Sequence, residues 1–250
     1  MAVREFKAPD MLGGPNSIPH MICPGCSHGV GYRLVYEVIE EMGMFDKQVP
    51  IHDVACGANM SMVTTCDMIG ASHGRPVPTA CGVKRIRPDK LVFTYQGDGS
   101  YLSIGMQHTM HAAIRNEKIT AIVLNNNEYG MTGGQMSPAT LLGQKTTSSP
   151  MGRLEERTGK PVDIIKCYQG LDIAYAARGA LDTPAHIAQA KKYIRKAFEK
   201  QMAGEGFTYV ELLGMCPTNW GMTALQAKER VANEVIPVFP IGEFIERSAE

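Results

Sequence analysis

Residues 91–130, LVFTYQGDGSYLSIGMQHTMHAAIRNEKITAIVLNNNEYG, contain the pattern that decides the fold. Two runs of consecutive apolar and β-branched residues, at 91–96 and 119–126, flank a segment at 100–117 whose pattern predicts a helix. Strands with almost no polar alternation are typical of parallel sheets that are covered on both faces. The stretch therefore predicts a β–α–β unit of an α/β fold, with a mostly parallel sheet and helices on both faces.

Polar residues follow each of these two predicted strands where the strand ends. GDG at 97–99 comes after the first strand, and NNN at 125–127 closes the second. Parallel neighbours joined by a crossover present their carboxyl ends at one edge of the sheet, where open α/β sheets bind ligands. Carboxylate and amide oxygens of Asp98 and Asn126 suit Mg²⁺, and a helix beginning at Ser100 directs N–H groups towards phosphate. The two motifs together predict a magnesium–diphosphate site, whereas GDG alone would favour a plain turn.

The rest of the chain supplies further elements of the same domain. Apolar residues at helical spacing predict a helix over 29–42, and Thr183, Pro184 and Gly204 are typical of the start and end of a helix over 183–204. Another helix is expected over 58–70, and strands are expected over 51–56, 162–170 and 207–213. The loop 127–160 is too long for a plain connection, which indicates a functional role. We expect an extended arm at 1–20, a single domain at 21–240 and a tail at 241–250.

The composition argues against some classes of partner. The 250 residues include 25 Lys and Arg and 25 Asp and Glu, so the formal net charge is zero. A neutral chain does not favour nucleic acid or an anionic membrane as its main partner. No apolar run reaches the ~18 residues of a spanning helix, and the first residues lack the apolar region of a secretory signal. We therefore expect a cytoplasmic protein that binds neither nucleic acid nor membrane.

The chain has seven cysteines, and this odd number suits a disulfide framework poorly. Four of them are expected at the sheet edge that carries GDG and NNN: Cys23 and Cys26 in ICPGC, Cys56 at the end of one predicted strand and Cys216 after another. The other three, Cys66, Cys81 and Cys167, are expected in the core. The four could bind a [4Fe–4S] cluster or Zn²⁺, provide a thioredoxin-like pair, or remain free thiols. The residue types alone leave these alternatives open.

The combination of motifs resembles the β subunit of 2-oxoacid:ferredoxin oxidoreductases. The resemblance is carried by GDG followed by NN, within a stretch over 72–140 that begins SHGRPVPTACG and ends GGQMSPAT, and by ICPGCSHG and CPTNWGM. It implies a thiamine diphosphate-binding fold in which Asp98, Asn126 and the main-chain carbonyl of Glu128 bind Mg²⁺. It also implies a [4Fe–4S] cluster on Cys23, Cys26, Cys56 and Cys216. The residues implied to contact the cofactor are Gly97, Asp98, Gly99, Ser100, Asn126, Tyr129 and Thr132.

The resemblance further implies a reaction and a set of partners. The family oxidatively decarboxylates a 2-oxoacid with coenzyme A, giving acyl-CoA and CO₂, and passes the electrons through the cluster to ferredoxin. An α subunit would supply the glutamate that activates thiamine, and γ and ferredoxin-like δ subunits are expected as further partners. The chain alone is therefore expected to be inactive. His73 and Arg75 are the candidate catalytic contacts.

One departure from the family pattern bears on the substrate. Relatives often have GCSG at the third cysteine, whereas this chain has ACGAN at 55–59. Asn59 offers no positive charge to a second carboxylate, which favours an uncharged, branched-chain 2-oxoacid, with 2-oxoglutarate next. The alternative functions are a non-redox thiamine diphosphate decarboxylase or carboligase, and a scaffold protein with a Cys₄ zinc site.

Overall fold

The computed structural model describes residues 21–247 of the chain, so the predicted arm at 1–20 lies outside the described residues. Within 21–247, the helices are α1 His28–Glu41, α2 Met60–Val63, α3 Pro76–Ile86, α4 Met106–Ile114, α5 Glu155–Thr158, α6 Ile164–Tyr168, α7 Pro184–Met202, α8 Pro217–Trp220, α9 Ala224–Arg230 and α10 Ile236–Val238. The strands are β1 Gln48–His52, β2 Ile69–Gly70, β3 Leu91–Gly97, β4 Thr120–Asn125, β5 Glu128–Tyr129, β6 Gln135–Met136, β7 Tyr175–Ala180, β8 Thr208–Leu213 and β9 Gly242–Glu246. Turns of 3₁₀ helix at Phe45–Lys47 and Cys56–Asn59, and of π helix at Ser100–Ile104 and Val231–Val235, complete the elements.

A seven-stranded sheet forms the centre of the fold. Its strand order is β2-β1-β3-β4-β8-β7-β9, and every neighbouring pair is parallel except β7 with β9. The predicted α/β fold with a mostly parallel sheet is confirmed. The segment 241–250, expected to be a tail, instead contributes Gly242–Glu246 as an antiparallel edge strand. The sheet therefore extends past the predicted domain boundary at 240.

Apolar side chains cover both faces of the sheet, as the unbroken apolar strands predict. On β3, Phe93 and Tyr95 pack with residues of α1 and α7 on one face, and Val92 packs with residues of α3 and α4 on the other. Each such side chain stabilises the fold by about 1.5–3 kcal/mol when it is fully buried. Among the described residues, no helix is long and apolar enough to cross a membrane.

The long helix α7 begins and ends as its sequence predicts. The Thr183 side chain accepts a hydrogen bond from the backbone N–H of His186 at 3.2 Å, and Pro184 occupies the first turn, where no N–H is needed. Gly204 follows the helix with a φ of +77°, a conformation that glycine adopts without strain. The predicted limits of 183–204 are therefore close to the observed Pro184–Met202.

Two predictions around the second and third cysteines are wrong. The strand expected over 51–56 ends at His52, so Cys56 lies in the 3₁₀ turn beyond it. The helix expected over 58–70 is only Met60–Val63, because the β-branched Thr64 that follows takes an extended backbone. Cys66 consequently lies in a loop, where its Sγ is 3.4 Å from the Tyr36 hydroxyl, rather than in the middle of a helix.

The strand predicted over 162–170 is also wrong. Asp163 accepts a hydrogen bond from the N–H of Ile165 at 3.2 Å and so caps the short helix α6. Cys167 lies on this helix and is exposed, in contrast to the core position expected for it, whereas Cys81 is buried in α3 as expected. The missing strand is β7, whose sequence YAARGA is too rich in alanine and glycine to read as a strand.

Candidate cofactor and metal site

The carboxyl ends of β3 and β4 bring the two polar motifs together. Gly97 pairs with Leu124, so Asp98 and Asn125 follow at the same level of the sheet. The backbone N–H of Asn126 donates a hydrogen bond to the Asp98 carboxylate. One terminal atom of the Asn126 side-chain amide lies 3.2 Å from Asp98 Oδ1 and 2.9 Å from the carbonyl oxygen of Glu128.

This contact tests whether the site fits a cation. With the amide nitrogen of Asn126 in that position, it donates to both neighbouring oxygens. With the amide oxygen there, three oxygens converge with no proton among them, which is unfavourable unless a cation lies at their centre. A carboxylate, an amide oxygen and a main-chain carbonyl form a donor set that Mg²⁺ accepts, with phosphate oxygens and water completing its octahedron. Asp98, Asn126 and the Glu128 carbonyl therefore fit Mg²⁺.

The environment of Asp98 points to the same conclusion. Its side chain is completely buried, and Ser137 Oγ donates a hydrogen bond to Oδ2. Burial raises the pKa of Asp98 to about 7, although hydrogen bonds from Ser137 and from the backbone of Asn126 act in the opposite direction. A carboxyl group that titrates near neutrality in an apolar setting is stabilised in its charged form by a bound divalent cation.

The two glycines of GDG meet different surroundings. A Cβ on Gly99 would lie 2.4 Å from the ring of Tyr129, whose hydroxyl donates to the Gly99 carbonyl at 3.2 Å. A Cβ on Gly97 would meet no protein atom within 4 Å, so the space beside it is open to a ligand. The Ser100 hydroxyl donates to Gln96 Oε1 at 3.2 Å and accepts from the N–H of Gly74 at 3.0 Å. The Ser100 hydroxyl therefore joins the end of β3 to the loop at Gly74.

A cleft opens beside these residues at the carboxyl edge of the sheet. It is lined by His28, Asp53, Ala55, Cys56, Gly57, His73, Gly97, Gly99, Ser100, Asn126, Glu128, Tyr129, Gly130 and Met131. His28 and Asp53 were not expected from the sequence, and both are almost wholly buried. A larger cavity of about 650 Å³ lies between the 141–144 loop and Val238–Phe239, away from every predicted site residue.

The remaining predicted contacts fall in different places. His73 lines the cleft, and its Nδ1 is 3.2 Å from Asp53 Oδ1. Arg75 donates from Nη1 to the carbonyls of Gly74 and Ile104, at 3.2 and 3.1 Å. Its guanidinium therefore joins the loop before α3 to the end of the π-helical turn. Thr132 Oγ1 donates to the side chain of its neighbour Gln135 at 2.5 Å. Neither Arg75 nor Thr132 is among the residues that line the cleft, and their roles stay predictions.

The ICPGC segment forms a tight turn. The backbone N–H of Cys26 donates to the carbonyl of Cys23 at 3.0 Å. Gly25 has a φ of +76°, and a Cβ at this position would lie only 2.7 Å from the side chain of Ala224. Both the backbone conformation and the close approach of α9 therefore require glycine here.

Hydrogen bonds hold this turn beside the other two cysteines. The N–H of Ser27 donates to the carbonyl of Met215 at 3.3 Å, and the N–H of Met215 donates to Ser27 Oγ at 2.8 Å. The turn thus lies against the residue that precedes Cys216. The sulfurs of Cys56 and Cys216 each lie 3.7 Å from the point where a Cβ on Gly130 would stand, so they are at most twice that distance apart.

The four thiols influence one another but do not converge on a single point. Burial raises the pKa of Cys26 to about 11, and the neighbouring Cys56 and Cys23 add to the increase. Burial likewise raises the pKa of Cys216, with a contribution from Cys26. All seven cysteines lie within 21–247, and none forms a disulfide. Within the same residues, no group of three or more His, Cys, Asp or Glu side chains is arranged to hold one metal ion.

The side chain of Glu128 adds a feature that the sequence did not predict. Only its main-chain carbonyl was expected to matter, yet its carboxyl group is buried and one oxygen, Oε1, has no hydrogen-bond partner among residues 21–247. Burial raises the pKa of Glu128, while hydrogen bonds with Cys216 and Asn219 and the charge of Arg230 oppose the increase. The residue therefore connects the proposed magnesium ligands to the cysteine group.

A buried polar network supports the NNN loop from behind. Asn125 Nδ2 donates to Glu211 Oε1 at 2.7 Å, and Asn125 Oδ1 accepts from the backbone N–H of Asn127 at 3.0 Å. The other carboxylate oxygen of Glu211 lies 2.5 Å from Nε of Arg178, which is almost completely buried. Arg178 also pairs with Asp163 at 2.5 Å. The loop that carries Asn126 is thus fixed by an ion pair between β7 and β8.

Comparison with known proteins identifies the class of this site. Residues 53–212 match the family described as thiamine pyrophosphate enzyme, C-terminal TPP binding domain. The match covers more than half of the chain and includes GDG, NNN and every described residue that lines the cleft except His28. The chain is therefore a thiamine diphosphate-binding domain.

Individual relatives narrow the class. The whole chain is 35% identical to ketoisovalerate oxidoreductase subunit VorA of Methanothermobacter thermautotrophicus, of which it covers 54%. Over 84% of its length it is 35% identical to 2-oxoglutarate synthase subunit KorB of Methanocaldococcus jannaschii, of which it covers 74%. The chain thus spans about half the length of the VorA relative and most of the KorB relative.

A solved structure agrees with these relatives. A 2-oxoglutarate:ferredoxin oxidoreductase from Magnetococcus marinus, with 2-oxoglutarate, coenzyme A and succinyl-CoA bound, superposes with a TM-score of 0.76 at 25% identity. The superposition covers all of this chain and 88% of that one. The chain belongs to the family of thiamine diphosphate-binding subunits of 2-oxoacid:ferredoxin oxidoreductases.

Proposed function

We propose that the chain is the catalytic β subunit of an enzyme that oxidatively decarboxylates a 2-oxoacid with coenzyme A and passes the electrons to ferredoxin. The observation that carries the proposal is the contact of the Asn126 side-chain amide with Asp98 Oδ1 and the Glu128 carbonyl oxygen, beside a group of four cysteines at one edge of the sheet. A family member needs both halves of this arrangement. One half binds the thiamine cofactor, and the other carries electrons away.

The chain's own residues would bind and orient the cofactor. Asp98, Asn126 and the Glu128 carbonyl would hold Mg²⁺, and the open space beside Gly97 would receive a phosphate close to the N–H groups of the turn that begins at Ser100. Thiamine diphosphate, when bound, supplies the carbon nucleophile and the electron sink for decarboxylation. The burial of Asp98 excludes water from its carboxylate, so its interaction with the cation is screened less than at the surface.

The four cysteines at the edge, Cys23, Cys26, Cys56 and Cys216, would hold a [4Fe–4S] cluster. A single Zn²⁺ binds four thiolates at about 2.3 Å, which would draw all the sulfurs to one point. The described cysteines lie near one another without such a point. A [4Fe–4S] cluster carries its four thiolate ligands on separate iron atoms and, unlike Zn²⁺, can take up and pass on electrons. Because burial raises the pKa of Cys26 and Cys216, cluster binding would have to release their protons.

We also propose that an α subunit completes the site. Thiamine activation requires a carboxylate near the cofactor's aminopyrimidine ring, and glutamates of α1 are poorly placed to provide it. Glu37 and Glu41 each form an ion pair with Lys191 of helix α7, at 2.8 and 2.7 Å. Further γ and ferredoxin-like δ subunits, with ferredoxin as the electron acceptor, belong to the same proposal.

The substrate is proposed to be an uncharged, branched-chain 2-oxoacid, with 2-oxoglutarate as the next candidate. Among the described residues that line the cleft, none is Lys or Arg, and Asn59 beside Cys56 is uncharged. A second carboxylate on the substrate would therefore find no Lys or Arg among the described residues that line the cleft. Relatives named for ketoisovalerate and for 2-oxoglutarate both resemble the chain, so the residues of the cleft, rather than the resemblance, support this choice.

Anaerobic purification of the chain with its partner subunits tests the proposed function. A brown protein that contains iron and sulfide, is bleached by dithionite and reduces ferredoxin with a 2-oxoacid and coenzyme A is the expected result. A colourless protein with magnesium and thiamine diphosphate would instead indicate a non-redox decarboxylase or carboligase. Stoichiometric zinc without thiamine binding would indicate a scaffold protein. A panel of branched-chain, straight-chain and dicarboxylic 2-oxoacids then identifies the substrate.

A further inference from the structure

Asp53 is a buried acid on the cofactor cleft that the proposed function leaves unexplained. It follows directly after β1, and the pairing of His52 with Tyr95 places it next to the end of β3. Its side chain is completely buried, and Oδ1 accepts the backbone N–H of Val54 at 2.8 Å. The second oxygen, Oδ2, has no hydrogen-bond partner among residues 21–247. A buried carboxylate oxygen without a partner is costly, so a role in the site is indicated.

The side chain that faces Asp53 is His73. Its Nδ1 lies 3.2 Å from Asp53 Oδ1 and 3.2 Å from the carbonyl oxygen of Val54, so both acceptors bind the same ring nitrogen. The imidazole ring lies 6.1 Å from the ring of Tyr129, between centroids, and lines the cleft together with Gly97 and Gly99. Engagement of Nδ1 leaves Nε2 as the nitrogen that can bind a ligand.

The cleft has to accept a diphosphate with few positive charges. No described lining residue is Lys or Arg, and the lining already includes the acids Asp53 and Glu128. The only other imidazole of the lining, that of His28, stays neutral because burial lowers its pKa to about 4. His73 is the other imidazole of the described lining, and it is partly exposed to solvent at the cleft, so its ring can donate to a bound anion.

We propose that Asp53 is a positioning residue, which holds His73 through Nδ1 so that Nε2–H donates a hydrogen bond to the diphosphate group of the cofactor. This inference rests on the proposed binding of thiamine diphosphate. The carboxylate fixes the rotation of the ring, and a ring with a proton on each nitrogen then donates to Asp53 on one side and to a phosphate oxygen on the other. Charge-assisted hydrogen bonds of this type are short, directional and stronger than neutral ones.

The test measures thiamine diphosphate binding by calorimetry in the presence of Mg²⁺, with the chain in its purified complex. His73→Ala is expected to weaken binding about tenfold or more, since a hydrogen bond to a charged group is lost. Asp53→Ala is expected to weaken it by a similar factor, and Asp53→Asn by less, because an amide oxygen still accepts from Nδ1. His73→Gln, which keeps a donor, should recover part of the affinity.

The double variant Asp53→Ala/His73→Ala separates positioning from a general structural role. If Asp53 acts only through His73, the double variant binds no more weakly than His73→Ala alone. His111→Ala, an exposed histidine of α4, and Asp89→Ala, an exposed acid, serve as matched controls and should bind normally. Thermal unfolding of every variant shows that each is folded.

Two results would overturn the inference while leaving the proposed function intact. Equal losses from Asp53→Ala with and without His73 would show that Asp53 supports the fold and not the imidazole. Tighter binding by Asp53→Ala or Asp53→Asn would show that the carboxylate repels the diphosphate. If the unmodified protein shows no Mg²⁺-dependent binding of thiamine diphosphate, the proposed function fails, and this inference fails with it.

Discussion

Replacement of Arg178 by methionine tests the buried network behind the NNN loop. Arg178 is 1% exposed and Glu211 is 2% exposed. The guanidinium binds Glu211 and Asp163 at 2.5 Å each and donates to the carbonyl of Pro240 at 3.2 Å. Methionine fills much of the same volume but leaves Glu211 as a buried carboxylate without its cation.

The expected loss of stability is large. Removal of one partner from a buried ion pair destabilises a protein by about 3–5 kcal/mol, because the other charge remains buried without compensation. For a chain of this size, a change of 1 kcal/mol shifts the unfolding temperature by roughly 2–4 °C. Arg178→Met should therefore lower the unfolding temperature by roughly 6–20 °C, and the free energy of unfolding from urea titration should decrease in proportion.

A second variant distinguishes the buried charge from lost packing. Arg178→Met/Glu211→Gln removes the charge of Glu211, and the glutamine oxygen still accepts from Asn125. The double variant should be at least about 1 kcal/mol more stable than Arg178→Met alone. Arg87→Met, which breaks an exposed ion pair, is the control and should leave the unfolding midpoint unchanged. A loss below about 1 kcal/mol for Arg178→Met, or a double variant less stable than the single one, would show that Arg178 does not compensate a buried charge on Glu211.

Three further predictions concern the site. Because burial raises the pKa of Asp98 to about 7, the folded protein without Mg²⁺ binds this proton more tightly than the unfolded chain does. The free energy of unfolding should therefore fall as the pH rises from about 4 to about 7. Comparison of wild type with Asp98→Asn in pH-dependent melts isolates this effect, which bound Mg²⁺ should abolish. Gly99→Ala should lower the free energy of unfolding by about 1–3 kcal/mol, because the added methyl group would contact the ring of Tyr129. Gly97→Ala should unfold at the wild-type temperature but bind thiamine diphosphate more weakly. Equal melting curves for the two variants would show that the two glycines do not differ in their surroundings as described. Cys23→Ser should lose iron, measured by metal analysis, and keep Mg²⁺-dependent thiamine diphosphate binding; joint loss of both would show that the two sites are inseparable.

The predictable part of the fold follows from local pattern. The strands β3 and β4 are unbroken apolar runs, so the β–α–β unit could be predicted. The polar motifs GDG and NNN follow these strands, so the position of Asp98 and Asn126 at one edge of the sheet could be predicted as well. Helix α7 could be predicted because Thr183, Pro184 and Gly204 mark its ends. In each case the deciding residues lie close together in the sequence.

The parts that could not be predicted depend on distant partners. Strand β7 contains Arg178, a residue type that is usually exposed. Here the arginine can be buried because Glu211, 33 residues later on the adjacent strand, pairs with it. Asp53 looks like an ordinary residue after a strand, and nothing in its neighbours indicates that His73 comes to face it. Cys56 was expected at the end of a strand, but that strand ends at His52, and Cys56 lies in the 3₁₀ turn beyond it, where it lines the cleft.

The proposed cofactor site depends most directly on the contact between Asp98, the Asn126 amide and the Glu128 carbonyl. Calorimetric titration of thiamine diphosphate into the purified complex, with and without Mg²⁺, measures this for wild type and for Asp98→Asn. Wild type is expected to bind only when Mg²⁺ is present, and Asp98→Asn, although folded, is expected not to bind under either condition. Equal binding by the two proteins, or binding by wild type that is indifferent to Mg²⁺, would contradict the proposed cofactor site.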